Sequence, residues 1–187
     1  MRLDHIAYRV KDRHKTSSFF QKAFGYRTGT SFKISFDDGS NAECVALVPP
    51  EERYPDTKRW AHFELTIAPY GPMTCEYHAS PEIFVSDGSP GSIVGDWVKE
   101  RGGIGGVHHI AYQVDNVETV MDEWKTKGYA EFYSEKPIVC QNPNLVQVFT
   151  KPSELTGVMY EFITREGVGF CKDSVKKLME SSKSINA

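Results

Sequence analysis

Leu3-Asp4-His5-Ile6-Ala7-Tyr8-Arg9-Val10 returns later in the chain as Val107-His108-His109-Ile110-Ala111-Tyr112-Gln113-Val114, with five identities in eight positions. Both octets read as strands, and both lead into the same sequel. A polar pair follows (Lys11-Asp12; Asp115-Asn116), then a helical pattern, then Gly-Tyr (Gly25-Tyr26; Gly128-Tyr129). In the second copy Val117, Val120, Met121 and Trp124 fall at the spacing of one buried helix face. Phe19, Phe20, Ala23 and Phe24 supply the corresponding face in the first copy. Asp115 is placed to cap the second helix, with Glu118 completing a capping-box pattern. Gly25 and Gly128 stand where a helix end takes positive φ. Two copies of one unit are the simplest reading of such a repeat.

Outward from the octets, strand patterns fall at 31–36, 44–48, 63–68 and 82–85 in the first half, and at 131–134, 146–150 and 158–164 in the second. Each unit then reads βαβββ, and the expected fold class is α+β with paired βαβββ modules. The predicted organisation is a first module over 1–86, with an insertion of about one hairpin near 49–81. A Gly/Ser/Pro linker with a short helix covers 87–106, the second module 107–165, and a helix and tail 166–187. In the terminal segment Val175, Leu178 and Met179 share one helix face, so that helix is expected to pack rather than float.

Composition narrows the function. The 187 residues carry 22 Lys+Arg against 25 Asp+Glu, a formal charge of −3, which lacks the clustered cationic surface that nucleic-acid phosphates require. No apolar run approaches ~18 residues, so no membrane span is expected. The first residues lack the layout of a secretory signal, which points to a cytoplasmic protein. Cys44, Cys75, Cys140 and Cys171 form no CxxC pair, and they read as reduced, mostly structural thiols. What remains is a protein that works on small molecules.

Side chains alternate along a strand, so His5, Ala7 and Arg9 share one face, as do His109, Ala111 and Gln113, while His108 is expected opposite His109. The repeat makes His5 and His109 equivalent. The last strand of the second unit carries Glu161 between Tyr160 and Phe162, where an unpaired carboxylate would be costly to bury. Two histidines and one carboxylate converging from three strands would remove that cost by holding an ion, in the 2-His-1-carboxylate arrangement of non-haem Fe(II). Beside this stand ordinary alternatives: a histidine hydrogen-bonded in the core, and a strand glutamate facing solvent.

With D-H-I-A and H-H-I-A opening its two units, the chain resembles the vicinal oxygen chelate superfamily over almost its whole length. The likeness implies that the modules join into a cupped mixed sheet with a metal held by their first and last strands. Within that superfamily the second half resembles the catalytic domain of the 4-hydroxyphenylpyruvate dioxygenase family. The segments concerned are Gly105 to Ala111, Gln147 to Pro152, Tyr160 to Arg165 and Gly169-Phe170. That resemblance implies His5, His109 and Glu161 as metal ligands, Gln147 as an active-site amide and Phe170 as a lid aromatic. The segments from Gly88 to Val94, Lys99 to His109 and Lys151 to Gly157 also resemble the methylmalonyl-CoA epimerase family.

The two relatives imply different chemistry. An ion held by three facial ligands keeps room for the carboxylate and keto oxygens of a 2-oxo acid and for O2. A fourth protein ligand removes the O2 position and favours proton transfer beside a carbonyl, as in the epimerase and glyoxalase I type of isomerase or lyase. The last strand of the first module decides, and it offers Glu64 or Glu82, either as fourth ligand or base or as a salt-bridged strand residue. Arg9, Gln113, Gln147 and Arg165 are candidate cavity polar groups for a substrate carboxylate or oxo group. The favoured expectation is an Fe(II)-dependent dioxygenase, with Zn, Ni, Co or Mn as alternative divalent metals. The partner is a small molecule, a 2-oxo acid with O2 or else an acyl-CoA, with neither nucleic acid nor membrane; a homodimer is allowed. A non-catalytic binding protein on the same fold is the third reading.

Overall fold

The structure is a computed structural model that describes residues 1–50, 60–67, 69, 71–78, 80–140, 144–165 and 170–182; along 60–67 and 71–78 only the backbone is described. The elements are β1 (Arg2–Val10), α1 (Arg13–Phe24), β2 (Arg27–Ser35), β3 (Asn41–Val48), β4 (Trp60–Ile67), β5 (Gly71–His78), β6 (Glu82–Gly88), α2 (Ile93–Glu100), β7 (Gly105–Gln113), α3 (Val117–Thr126), β8 (Ile138–Cys140), β9 (Leu145–Phe149), β10 (Met159–Arg165) and α4 (Lys172–Ser181).

Eight strands form one mixed sheet in the order β2-β3-β6-β1-β7-β10-β9-β8, curled into a half-barrel. The two octets lie side by side at its centre, as the antiparallel pair β1 and β7. Each is flanked by the last strand of its own half, in parallel: β6 beside β1 and β10 beside β7. The architecture is therefore the α+β class read from the repeat, its halves related by a pseudo-two-fold axis through the β1–β7 seam. β4 and β5 pair as a separate two-stranded sheet, so the strand expected from residue 63 does not join the main sheet, and residue 68 lies outside the described residues. The side chains of Glu64, His62, His78 and Cys75, and the tail 183–187, lie outside what is described.

Local chemistry sets the helix ends. Asp12 accepts from the Lys15 amide at the start of α1, and Gly25 ends that helix in the left-handed conformation at φ 74°. At α3 the cap is Asn116, whose side chain accepts from the Thr119 amide, and not Asp115 as the sequence suggested. The expected α3 face packs on the sheet, with Val117 and Met121 buried beside Val148 and Phe162. The expected α1 face does not: Phe19 is 57% exposed and Phe24 55% exposed, while Ser17 is the buried residue. Only Phe20 of that aromatic group packs on the core, because the helix is rotated about its axis relative to the apolar spacing. The pattern at 131–134 contributes a single bridge, Phe132 to Thr150, and the edge strand forms instead at β8.

Cys140 and Cys171 form a disulfide, which overturns the reading of both as reduced thiols; a separation of 31 residues hid the pairing until β8 and α4 came together. Cys44 is the buried free thiol among the described residues. The disulfide ties the start of α4 to the sheet edge. A crosslink closing a loop of this length is worth roughly 3–4 kcal/mol through the unfolded chain. A phosphine reductant should therefore lower the urea midpoint clearly, and an unchanged midpoint would mean that these thiols are not joined. No helix among the described residues is long and apolar enough to cross a membrane.

Candidate metal centre

The β1–β7 register carries two irregularities. Leu3 faces Tyr112 and His5 faces Ala111, so Asp4 is the extra residue on one side. Ala7 faces His109 and Tyr8 faces Val107, so His108 is the extra residue on the other. Both are β-bulges, one in each repeat, and each falls on the residue before the histidine. A bulge breaks strict alternation and re-aims side chains. His108 is accordingly not opposite His109: both are buried and both line the same cavity. Gly105 makes the close approach possible at φ 92°, since a Cβ there would meet the Arg9 carbonyl oxygen.

His5, His109 and Glu161 meet at the centre of the sheet. Glu161 Oε2 lies 3.3 Å from His5 Nε2 and 3.0 Å from His109 Nε2, and the two Nε2 atoms are 3.1 Å apart. All three residues are buried, and they are the group of potential ligands that the described residues bring together. The triangle suits an ion: neighbouring positions around an octahedral centre with bonds of ~2.1 Å lie ~3.0 Å apart. Glu161 Oε1 is buried without a hydrogen-bond partner, a lone acceptor beside two imidazole nitrogens. The outer nitrogen of each ring has a hydrogen-bond partner, a carboxylate for His5, as is usual for metal-bound histidines, and a second imidazole for His109. His5 Nδ1 donates to Asp4 Oδ1 at 2.7 Å, and His109 Nδ1 lies 2.8 Å from His108 Nδ1. The residues present therefore fit a divalent metal.

The electrostatics of the three side chains follow from burial and pairing. Burial raises the pKa of the Glu161 carboxyl, but the charge of His5 and hydrogen bonds from His109 and His5 outweigh it and bring the carboxyl from 4.5 to about 2. Burial lowers the pKa of His5, yet the charge of Glu161 and the Asp4 hydrogen bond leave it raised. His109 is lowered, by burial first, against the pull of Glu161. A carboxyl depressed on folding stabilises the protein above its unfolded pKa, and that contribution is lost as pH falls toward the folded one. Chelator-treated protein should thus lose urea stability as pH falls from about 4.5 toward 2, and Glu161→Gln should flatten this limb. An equally steep limb in the variant would remove Glu161 from its cause.

The other expected site residues divide. Arg9, Gln147 and Phe170 line the cavity with the triad; it holds about 30 Å³ and is closed on one side by Val175, Leu178 and Met179 of α4. Phe170 packs edge-on to His5 with ring centres 5.0 Å apart. Arg165 and Gln113 do not line the cavity. Arg165 Nη2 is 2.8 Å from Asp4 Oδ1 and 3.1 Å from Glu82 Oε2, and Gln113 donates to the Arg165 carbonyl oxygen at 3.4 Å. Glu82 is thus the ion-pair partner of Arg165. The pseudo-two-fold explains why: on β7 and β10 Glu161 faces Ala111, and on β1 and β6 the residue facing the equivalent Ala7 is Phe84. Phe84 is the counterpart of Glu161, while Glu82 is the counterpart of Met159. The Phe84 ring lines the cavity and packs on Phe170 at 4.9 Å. Asp4, His108 and Phe84 were not singled out from sequence, although the matched positions of Asp4 and His108 in the repeat were a usable signal.

Two βαβββ units sharing one sheet, with two histidines and a carboxylate gathered at their seam, define a paired-module fold class. The profile of the Glyoxalase/Bleomycin resistance protein/Dioxygenase superfamily matches residues 4–143, and the chain belongs to that superfamily. Among curated proteins no sequence matches the chain. Solved structures similar to it include a mutant 4-hydroxymandelate synthase from Streptomyces coelicolor, 16% identical with a TM-score of 0.72, covering 100% of this chain and 54% of that one. The chain therefore spans about half the length of that enzyme. Methylmalonyl-CoA epimerase from Mycobacterium tuberculosis is 16% identical with a TM-score of 0.60, covering 88% of this chain and 87% of its own. Streptomyces coelicolor methylmalonyl-CoA epimerase (E43Q), in complex with 2-nitronate-propionyl-CoA, is 19% identical with a TM-score of 0.53 over 88% of this chain and 97% of its own. These likenesses establish the fold.

Proposed function

We propose that the protein is a mononuclear metal enzyme, an Fe(II)-dependent dioxygenase acting on a 2-oxo acid, with His5, His109 and Glu161 as its ligands. The observation that carries this reading is Phe84: the pseudo-symmetric counterpart of Glu161 is an apolar ring, and the described residues bring three protein donors together. When bound, the ion supplies a charged centre that orients a 2-oxo acid and makes O2 reactive toward it. Asp4 and His108 hold the two imidazoles with Nε2 facing inward, and Arg165 holds Asp4. Phe84, Phe149, Phe170 and the apolar face of α4 exclude water from the cavity. Gln147 presents a buried amide, its Nε2 without a hydrogen-bond partner, to whatever enters.

A metal-dependent epimerase acting on an acyl-CoA is the second reading, favoured by the near full-length overlay on epimerase chains. It needs a carboxylate free to move a proton, and Glu82 is engaged by Arg165. The test is O2 uptake and CO2 release by Fe(II)-loaded protein given 2-oxo acids, run beside deuterium uptake from D2O into an acyl-CoA. Coupled O2 loss and CO2 release supports the dioxygenase; deuterium uptake without O2 consumption overturns it.

A further inference from the structure

The two arginines on the strands of this site are partnered very differently. Arg165 spans Asp4 and Glu82. Arg9 is only 3% exposed and lines the cavity, yet its Nη2 meets no hydrogen-bond partner. Its described contact is with a ring, its guanidinium carbon 5.8 Å from the centre of Trp97. A buried guanidinium without an anion is costly, and a ligand that brings an anion would offset that cost. Burial brings its pKa down from 12.5 to about 9, consistent with a cation that lacks a counter-charge.

A second donor stands beside it. Once the Nε2 atoms of His5 and His109 face the ion, Nδ1 of His109 carries a proton and donates it to His108 Nδ1. His108 then carries its own proton on Nε2, which is buried without a partner in the same cavity. His108 and Arg9 share a wall, since the His108 ring lies 5.4 Å from Trp97. Glu161 is the acidic residue that the described residues contribute to the cavity, and it belongs to the ion. Along β1, Arg9 is four residues from His5, a Cα separation of about 13 Å, so its guanidinium addresses a part of the ligand away from the chelating end.

Resting on the 2-oxo acid reading above, we propose that Arg9 and His108 form a subsite for a second carboxylate, so that the substrate is a 2-oxo acid with a second acidic group at its far end. One carboxylate and the keto oxygen go to the ion, and the other carboxylate completes Arg9. A planar guanidinium matches a carboxylate with two parallel hydrogen bonds.

The test uses anaerobic Fe(II)-loaded protein titrated with 2-oxoglutarate and with 5-methyl-2-oxohexanoate, a monoacid isostere whose far end is uncharged, followed by calorimetry and visible absorption. The diacid should bind about 100-fold more tightly, and Arg9→Met should erase most of that preference while leaving the monoacid within about twofold. Equal affinity of the two acids in the unmodified protein overturns the subsite, and this comparison does not depend on the variant folding. A variant that weakens both acids alike also overturns it. If neither acid perturbs the Fe(II) spectrum, the 2-oxo acid reading itself fails, and the subsite with it.

Discussion

Replacing His5, His109 or Glu161 by alanine, one at a time, should abolish stoichiometric binding of a divalent ion, as read by metal content after gel filtration and by calorimetry. Each residue contributes one atom to a triangle with edges of 3.0, 3.1 and 3.3 Å, and Phe84 sits where a substitute donor would come from. Two donors left in a buried, water-poor cavity do not retain an ion through a column. The flanking residues give a graded contrast. Asp4→Asn and His108→Gln remove what orients the rings and should weaken binding about 10–100-fold without abolishing it. Full metal retention in any of the three alanine variants would remove that residue from the ligand set. Fe(II) is the test ion because divalent metals further along the series bind such sites more tightly, so the ion recovered after purification does not identify the working one.

Arg165→Leu should be the most destabilising substitution away from the ligands, lowering unfolding free energy by about 3–5 kcal/mol in urea titrations at neutral pH. Arg165, Asp4 and Glu82 are all buried, and the one guanidinium stands between the two carboxylates. Its loss leaves two acidic groups facing each other out of water, which costs far more than the missing hydrogen bonds. The same change should loosen the metal, because Asp4 loses the partner that fixes it against His5. Stability within 1 kcal/mol of the unmodified protein would mean that these carboxylates are solvated or protonated. Arg165→Lys keeps the charge but not the fork, and should fall between the two.

Much of this was legible in the repeat, and the misses have physical causes. Five shared residues in two octets were enough for the paired modules, because similar strands followed by matching polar helix starts and glycine stops leave few other arrangements. The central pairing of β1 with β7 then brings His5 and His109 together, which makes their equivalence a contact. Alternation failed at His108, since periodicity of two cannot register an inserted residue. The contest between Glu64 and Glu82 could not be decided from sequence. Local similarity favoured one and distance along the chain favoured the other, whereas the counterpart of Glu161 is set by strand register and is Phe84. Cys140 and Cys171, 31 residues apart, are joined only because α4 packs against β8, a contact no local pattern encodes. The aromatic spacing of α1 misled for another reason: that helix buries little of its length, so tertiary packing and not the periodic stripe fixes which side faces the sheet.

The central claim is an ion held by three protein ligands, which leaves coordination positions for both a 2-oxo acid and O2. Its most direct measurement is the visible spectrum of anaerobic Fe(II)-loaded protein as a 2-oxo acid is added, followed by admission of air. A charge-transfer band that saturates at one equivalent of Fe(II), and decays with consumption of O2, is the predicted result. An ion that binds but shows no band with any 2-oxo acid, and leaves O2 untouched, would contradict it.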